Sequence, residues 1–149
     1  MILVFFILLV IVTQLFESSV REGLEQDSES SILHESVGFN IYNQTTNYIL
    51  KAVNINGNFA EVIPPAHTIP SGGSRHYLVN VPTTGTNTTS VRFQMLGSNI
   101  EEYVTIIMKV TWVYYDDPIQ SVSYITLSHG RPGTVSVQTG RTWATVRTL

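Results

Sequence analysis

The chain has 149 residues, 43% of them hydrophobic and 13% charged, with a formal net charge of -3. That is one domain's worth of sequence with enough apolar material for a real core, which excludes a largely disordered chain. Cysteine is absent, which excludes disulfides, a thiol nucleophile and a thiolate metal site.

The charge is unevenly spread. Between Glu17 and Ser36 stand Glu17, Glu22, Glu25, Asp27, Glu29 and Glu35 against the single base Arg21. From Val37 onward there are seven bases and five acids, a balance of +2, and no acid follows Asp117. This mildly basic part tolerates an anionic partner such as a phospholipid headgroup, but the excess is far too small for strong nucleic-acid binding.

The chain opens with the apolar run ILVFFILLVIV, Ile2 to Val12. It is short of the roughly 20 residues a spanning helix needs and fits the hydrophobic region of a secretory signal. Residues 1–19 are therefore expected to be a signal peptide, with a short membrane anchor as the alternative, and the protein to be secreted. Residues 20–36 are polar and acidic and read as a flexible arm.

From residue 37 to 149 short β-branched and aromatic runs alternate with Gly, Pro and Asn, which predicts an all-β fold: a single antiparallel β-sandwich of about nine strands. VGFNIY is the first strand. YILKAVNI follows and ends at Asn56-Gly57, a pair suited to a tight hairpin into NFAEVI because both residues accept positive φ. Pairing is expected to stop at Pro64-Pro65. RHYLVNV comes next, then PTTGTNTT as a loop, then SVRFQML with Val91, Phe93 and Met95 inward.

The longest run, Tyr103 to Tyr115, places Val104, Ile106, Met108, Val110, Trp112 and Tyr114 on one face and predicts a central strand with Trp112 in the core. In IQSVSYITLSH the apolar parity switches between Val122/Tyr124 and Ile125/Leu127, which predicts a bulge or a strand covered on both faces. TVSVQT and RTWATVR complete the set.

Little in the chain suggests catalysis. His34, His67, His76 and His129 lack the spacing of a zinc site, no Gly-x-Ser-x-Gly elbow occurs, and neighbouring Asp116 and Asp117 on an extended chain point apart. The reading is a non-enzymatic protein with no cofactor and no metal. Two sequons, Asn43-Gln-Thr45 and Asn87-Thr-Thr89, are candidate glycosylation positions.

The aromatics are more informative. Tyr114 and Tyr115 stand where the longest strand runs out of its sheet, followed by the turn-forming Asp116-Asp117-Pro118. Tyrosine suits places where one end is apolar and the other wet, so these rings either cap the core or form a surface that meets membrane or sugar. Arg131, in the Arg131-Pro132 turn, joins them as a candidate binding residue.

The order VGFNIYNQTTNYILKAVNINGNFAEVIPPAHTIPSGGSRHYLV, a Thr/Gly-rich loop, VRFQML and a long strand into YYDDPIQSVSY resembles the aegerolysin and actinoporin-like family of β-sandwich cytolysins, over roughly residues 36 to 139. The resemblance implies a sandwich whose end loops recognise membrane lipid headgroups through aromatic side chains, with Tyr114 and Tyr115 at the aromatic loop and Tyr124 at the aromatic after it, and with oligomers on a membrane. The acidic arm is no counterpart of that family's amphipathic pore helix, so lipid binding is the expectation and pore formation is not. Binding of glycans, adhesion, or structural self-association through sheet edges are the alternatives.

Overall fold

The structure, a computed structural model, describes residues 35–60, 62–129 and 131–149. The expected signal segment and almost all of the acidic arm lie outside the described residues. Ser36–Leu149 forms one compact unit.

It is all-β, with nine strands among the described residues: β1 Ser36–Gln44, β2 Ile49–Gly57, β3 Thr68–Ile69, β4 Ser74–Asn80, β5 Thr86–Leu96, β6 Glu102–Thr111, β7 Ile119–Ser128, β8 Val135–Thr139 and β9 Trp143–Thr148. They form a four-stranded sheet in the order β4-β1-β9-β8 and a five-stranded sheet in the order β3-β2-β5-β6-β7. Neighbours run antiparallel except β1 and β9, which pair in parallel, Asn40 opposite Trp143 through Gln44 opposite Arg147. The first and last strands are thus joined side by side.

Alternation of side chains sorts the residues as the sequence pattern requires. Phe39, Ile41, Tyr77, Val79, Ala144 and Val146 from one sheet meet Leu50, Val91, Phe93, Met95, Val104, Ile106, Met108 and Val110 from the other, all buried. Each large side chain so placed contributes about 1.5–3 kcal/mol relative to leaving it in water, and no disulfide shares the load.

Two buried polar residues tie the core to its edges. Glu102, at the start of β6, accepts bonds from Thr134 N (2.9 Å), Thr134 Oγ1 (2.6 Å) and Val135 N (3.3 Å), linking the five-stranded sheet to the entry of β8. Asn43 is fully buried near the end of β1. Its Nδ2 donates to the carbonyls of Tyr48 (2.8 Å) and Ile69 (2.9 Å), and its Oδ1 accepts from Thr45 N (3.1 Å) and Thr45 Oγ1 (2.6 Å). The Asn-Gln-Thr triplet is an asparagine turn locked by its own threonine. A glycan on Asn43 is incompatible with this packing, because both amide hydrogens are used and no surface is exposed.

Several local expectations are corrected. NFAEVI does not fold back on β2: after Gly57 the chain crosses to the other sheet, where Phe59 bridges Val79 and Ala60 N donates to Leu78 O. Gly57, at φ 117°, turns where a Cβ would stand 2.4 Å from Thr88 O. The two-residue β3 takes the expected third strand's place in the count. The segment TNTT belongs to β5 because β6 is long enough to pair with it, Thr86 opposite Thr111. Asn87 therefore sits in a strand, half-buried, with Nδ2 donating to Asn80 O (2.9 Å) and Oδ1 accepting from Asn58 Nδ2 (3.0 Å). Finally, β7 carries no bulge and is not covered on both faces: its register with β6 is unbroken from Glu102 opposite Ser128 to Thr111 opposite Ile119, and it is the sheet's last strand.

Candidate functional site: an aromatic end of the sandwich

The core ends at Val110, and β6 at Thr111. Trp112 N still donates to Gly85 O at 2.9 Å, which anchors the exit of the strand. Beyond this point the opposite sheet offers nothing to cover side chains, so Trp112 is 37% exposed, Tyr114 63% and Tyr115 92%. Trp112 is thereby moved from the expected core to the surface.

The three rings form a chain. Trp112 and Tyr114 meet edge to face with centroids 5.3 Å apart, and Tyr114 and Tyr115 meet at 3.9 Å and 77°. The Trp112–Tyr114 geometry follows the ring quadrupoles, positive edge on negative face, whereas the Tyr114–Tyr115 pair is closer than the about 4.5–7 Å usual for such contacts. Tyr115 has φ 70°, the one non-glycine residue at positive φ among the described residues. That conformation costs an L-residue on the order of 1 kcal/mol, and here it projects a large ring almost wholly into solvent. Asp116 N reaches Val113 O at 3.4 Å and Asp117 N donates to Asp116 Oδ1 at 2.9 Å, closing the turn.

A groove of about 470 Å³ adjoins this turn, lined by Asp117, Pro118, Gln120, Arg141 and Thr142. Arg141 is exposed on the β8–β9 turn, which is closed by Gly140 N donating to Trp143 O at 2.9 Å. A Cβ on residue 140 would stand 2.2 Å from the Trp143 indole, so any other residue there would have to displace that ring. The end of the sandwich therefore combines three exposed rings, two carboxylates and one guanidinium.

The four residues singled out from the sequence do not all meet. Tyr114 and Tyr115 share the rim. Tyr124 lies midway along β7 opposite Ile106, partly exposed on the inward side of the sheet. Arg131, whose carbonyl accepts from Ser128 Oγ at 2.8 Å, lies past the other end of β7, about 30 Å from the rim at some 3.3 Å per residue. Trp112 and Arg141 were missed. Trp112 carried no signal, because it continues the inward alternation of β6; for Arg141 the signal was the Thr-Gly-Arg-Thr turn between two apolar runs.

A second cleft, about 260 Å³, is lined by Phe59, Val62, Pro64, Pro65, Arg75, His76, Tyr77 and Leu78. Behind it His67 Nδ1 faces Pro65 O at 2.8 Å. A carbonyl only accepts, so Nδ1 carries the proton and Nε2 accepts from the Tyr77 hydroxyl. Burial pushes the His67 imidazole below its ordinary value, opposed by the Pro65 carbonyl and helped by Arg75. Burial pushes the Tyr77 phenol up. This dyad is a packed structural pair: His67 stacks against both Tyr77 and Phe93. Among the described residues no three His, Asp or Glu side chains gather to hold a metal ion.

Comparison with protein-family models, with characterised proteins and with solved structures gives no match for this chain.

Proposed function

We propose that this is an extracellular, non-enzymatic binding protein that attaches to membrane lipid through the Trp112–Tyr114–Tyr115 end of its sandwich. The observation that carries the reading is Tyr115: a turn pays backbone strain to hold its ring 92% exposed beside a second exposed tyrosine. A ring serving only to cap the core would be folded over it at an unstrained backbone. Strain held in this way points to a functional role. Tyrosine and tryptophan favour the headgroup layer, where the ring is buried and the polar tip stays wet.

The charges beside the rings refine the ligand. Asp116 and Asp117 accompany Arg141, so an anionic surface would be repelled as much as attracted. A zwitterionic headgroup suits the set better, with its phosphate toward Arg141 and its ammonium toward carboxylates and ring faces. The polar groove beside Pro118 supports a second reading, a glycan stacked on Tyr114 and hydrogen-bonded to Gln120 and Arg141.

Vesicle flotation decides between them. Binding to zwitterionic vesicles that falls at least tenfold in a Tyr114→Ala/Tyr115→Ala variant is the expected result. No binding to any vesicle, or binding indifferent to both rings, overturns the membrane reading, and selective retention on a glycan array in its place establishes the second.

A further inference from the structure

The four sheet edges are protected unequally. β3 is two residues long, and β8 five. The outer side of β4 is occupied by the crossing chain, through Ala60 N to Leu78 O and Asn80 N to Asn58 O. β7 is ten residues long, IQSVSYITLS, without a charge or a proline. Edges of this kind are usually shortened, charged or covered, because their unpaired backbone groups template another strand.

Which groups are unpaired follows from the register. His129 N donates to Glu101 O at 3.0 Å, which makes that opposed pair a hydrogen-bonded one. Hydrogen-bonded and non-bonded pairs alternate in an antiparallel ladder. The odd residues of β7 therefore bond to β6, while the N–H and C=O groups of Gln120, Val122, Tyr124 and Thr126 point away from the sheet. Among the described residues none of these groups has another backbone partner. Both faces of the strand also keep apolar surface exposed: Tyr124 on the inward side, Ile119, Ile125 and Leu127 on the outward side.

We propose that β7 pairs with β7 of a second copy, antiparallel about a two-fold axis at Ser123, to make one continuous ten-stranded sheet. The outward groups permit only registers in which even residues form the new hydrogen-bonded pairs. With the axis at Ser123, Val122 faces the partner's Tyr124, Ile119 faces the partner's Leu127 and Ser121 faces the partner's Ile125. This matches a branched side chain to an aromatic ring on one face and two apolar side chains on the other. With the axis at Tyr124, Ser121 would oppose the partner's Leu127 and Ile119 the partner's His129, which wastes the apolar surface.

Charge agrees with the same register. The acidic turn of one copy, Asp116-Asp117, comes alongside His129 and Arg131 of the other, while the paired strands themselves carry no charge to repel. This assigns Arg131 to an interface, about 30 Å from the aromatic rim of its own copy and beside the Tyr115–Asp117 turn of the other. One strand pair with its flanking turns falls near the lower limit of specific interfaces, about 1,200 Å² in total. Interfaces of that size belong to the weak, reversible class.

Because the chain has no cysteine, the test is clean. In the full chain, Ser123→Cys places two thiols across the axis in a non-bonded pair, at the close Cα spacing of about 4.5 Å that admits a disulfide. Ser121→Cys, on the same exposed face, leaves its two copies too far apart. The expected result is a concentration-dependent dimer in sedimentation velocity without lipid, a disulfide dimer from Ser123→Cys and none from Ser121→Cys. Ser123→Lys, which sets two ammonium groups face to face at a solvent-exposed position, weakens the dimer at least tenfold with an unchanged melting temperature of the monomer. Arg131→Glu weakens it as well, and more strongly at low salt. A chain that stays monomeric at all concentrations, a dimer indifferent to Ser123→Lys (as association through the apolar N-terminal run or another surface would be), or equal cross-linking from both cysteines overturns the proposal.

Discussion

Replacing Tyr115 with glycine separates what this residue costs the fold from what it offers a ligand. Tyr115 lies at φ 70°, where an L-residue is penalised by about 1–2 kcal/mol and glycine is not. Glycine brings back about 0.5–1 kcal/mol of chain entropy lost on folding. The ring is 92% exposed, so deleting it forfeits little burial; its edge contact with Tyr114 is the one interaction removed. Relieved strain is offset by that chain entropy and by the aromatic pair, itself worth about 0.5–1.5 kcal/mol, so the balance is close to zero and the melting temperature should stay within about 3 °C of the wild type. Tyr115→Ala removes the same ring but keeps the positive φ, so it should be about 1 kcal/mol less stable than Tyr115→Gly. For membrane binding the two variants should be alike. Burying roughly half of a tyrosine ring in the headgroup layer is worth about 1–1.5 kcal/mol, so each should lose about tenfold in vesicle affinity. Urea denaturation of the three proteins, with flotation on zwitterionic vesicles alongside, measures both quantities. If Tyr115→Gly is destabilised by more than 1 kcal/mol, or if binding is unaffected by either change, the turn is not holding the ring out at a cost to the backbone for the sake of a ligand.

Asn43→Ala deletes four hydrogen bonds in a fully buried corner and should cost about 3 kcal/mol in denaturant melts, while mass spectrometry of the protein expressed through a secretory pathway should show residue 43 unglycosylated. Glu102→Ala strips the N–H groups of Thr134 and Val135 of their acceptor and should cost about 3–5 kcal/mol, with proteolysis beginning near the entry of β8. The His67 imidazole is held by burial below its ordinary value of about 6.5. As pH falls the unfolded chain therefore takes up that proton first, and stability present above about pH 6.5 is lost on acidification toward the folded-state value. Comparison of pH–stability curves should show a shallower acid limb in His67→Gln than in the wild type. An antiparallel β7 pair points the two aromatic ends in opposite directions, so the dimer should bridge vesicles. Turbidity of zwitterionic vesicles should rise with the wild type and not with Ser123→Lys, which should still bind in flotation.

Period-two alternation was enough to read an all-β chain, the inward set of β5 and β6, and the central place of β6, because the pleat forces successive side chains to opposite faces wherever a second sheet lies above. It was enough, too, to mark Tyr114 and Tyr115 as residues at a strand exit, since aromatic rings are not needed to make an Asp-Asp-Pro turn. Local pattern failed where the outcome depended on the length of something distant. Trp112 continues the alternation of Val104 to Val110, yet it is exposed because the opposing sheet stops short of it. Asn56-Gly57 carries a hairpin signature, yet the chain crosses between sheets there and β5, distant in sequence, supplies the pairing partner, Ser90 opposite Asn56. Asn43 reads as a glycosylation acceptor, and burial among Thr45, Tyr48 and Ile69, two of them beyond the triplet, makes it a structural hub.

The mixed parity of β7 is the sharpest case. Its apolar residues on both faces suggested cover on both faces, and the fold puts the strand at an edge. Side-chain pattern reports how much apolar surface a strand carries, and strand order decides whether the same molecule covers it. Arg131 and Arg141 divide for the same reason. Ten residues apart in the chain, one lies past the far end of β7 and the other beside the aromatic rim, because β8 carries the chain from the far end of the sandwich to the rim between them.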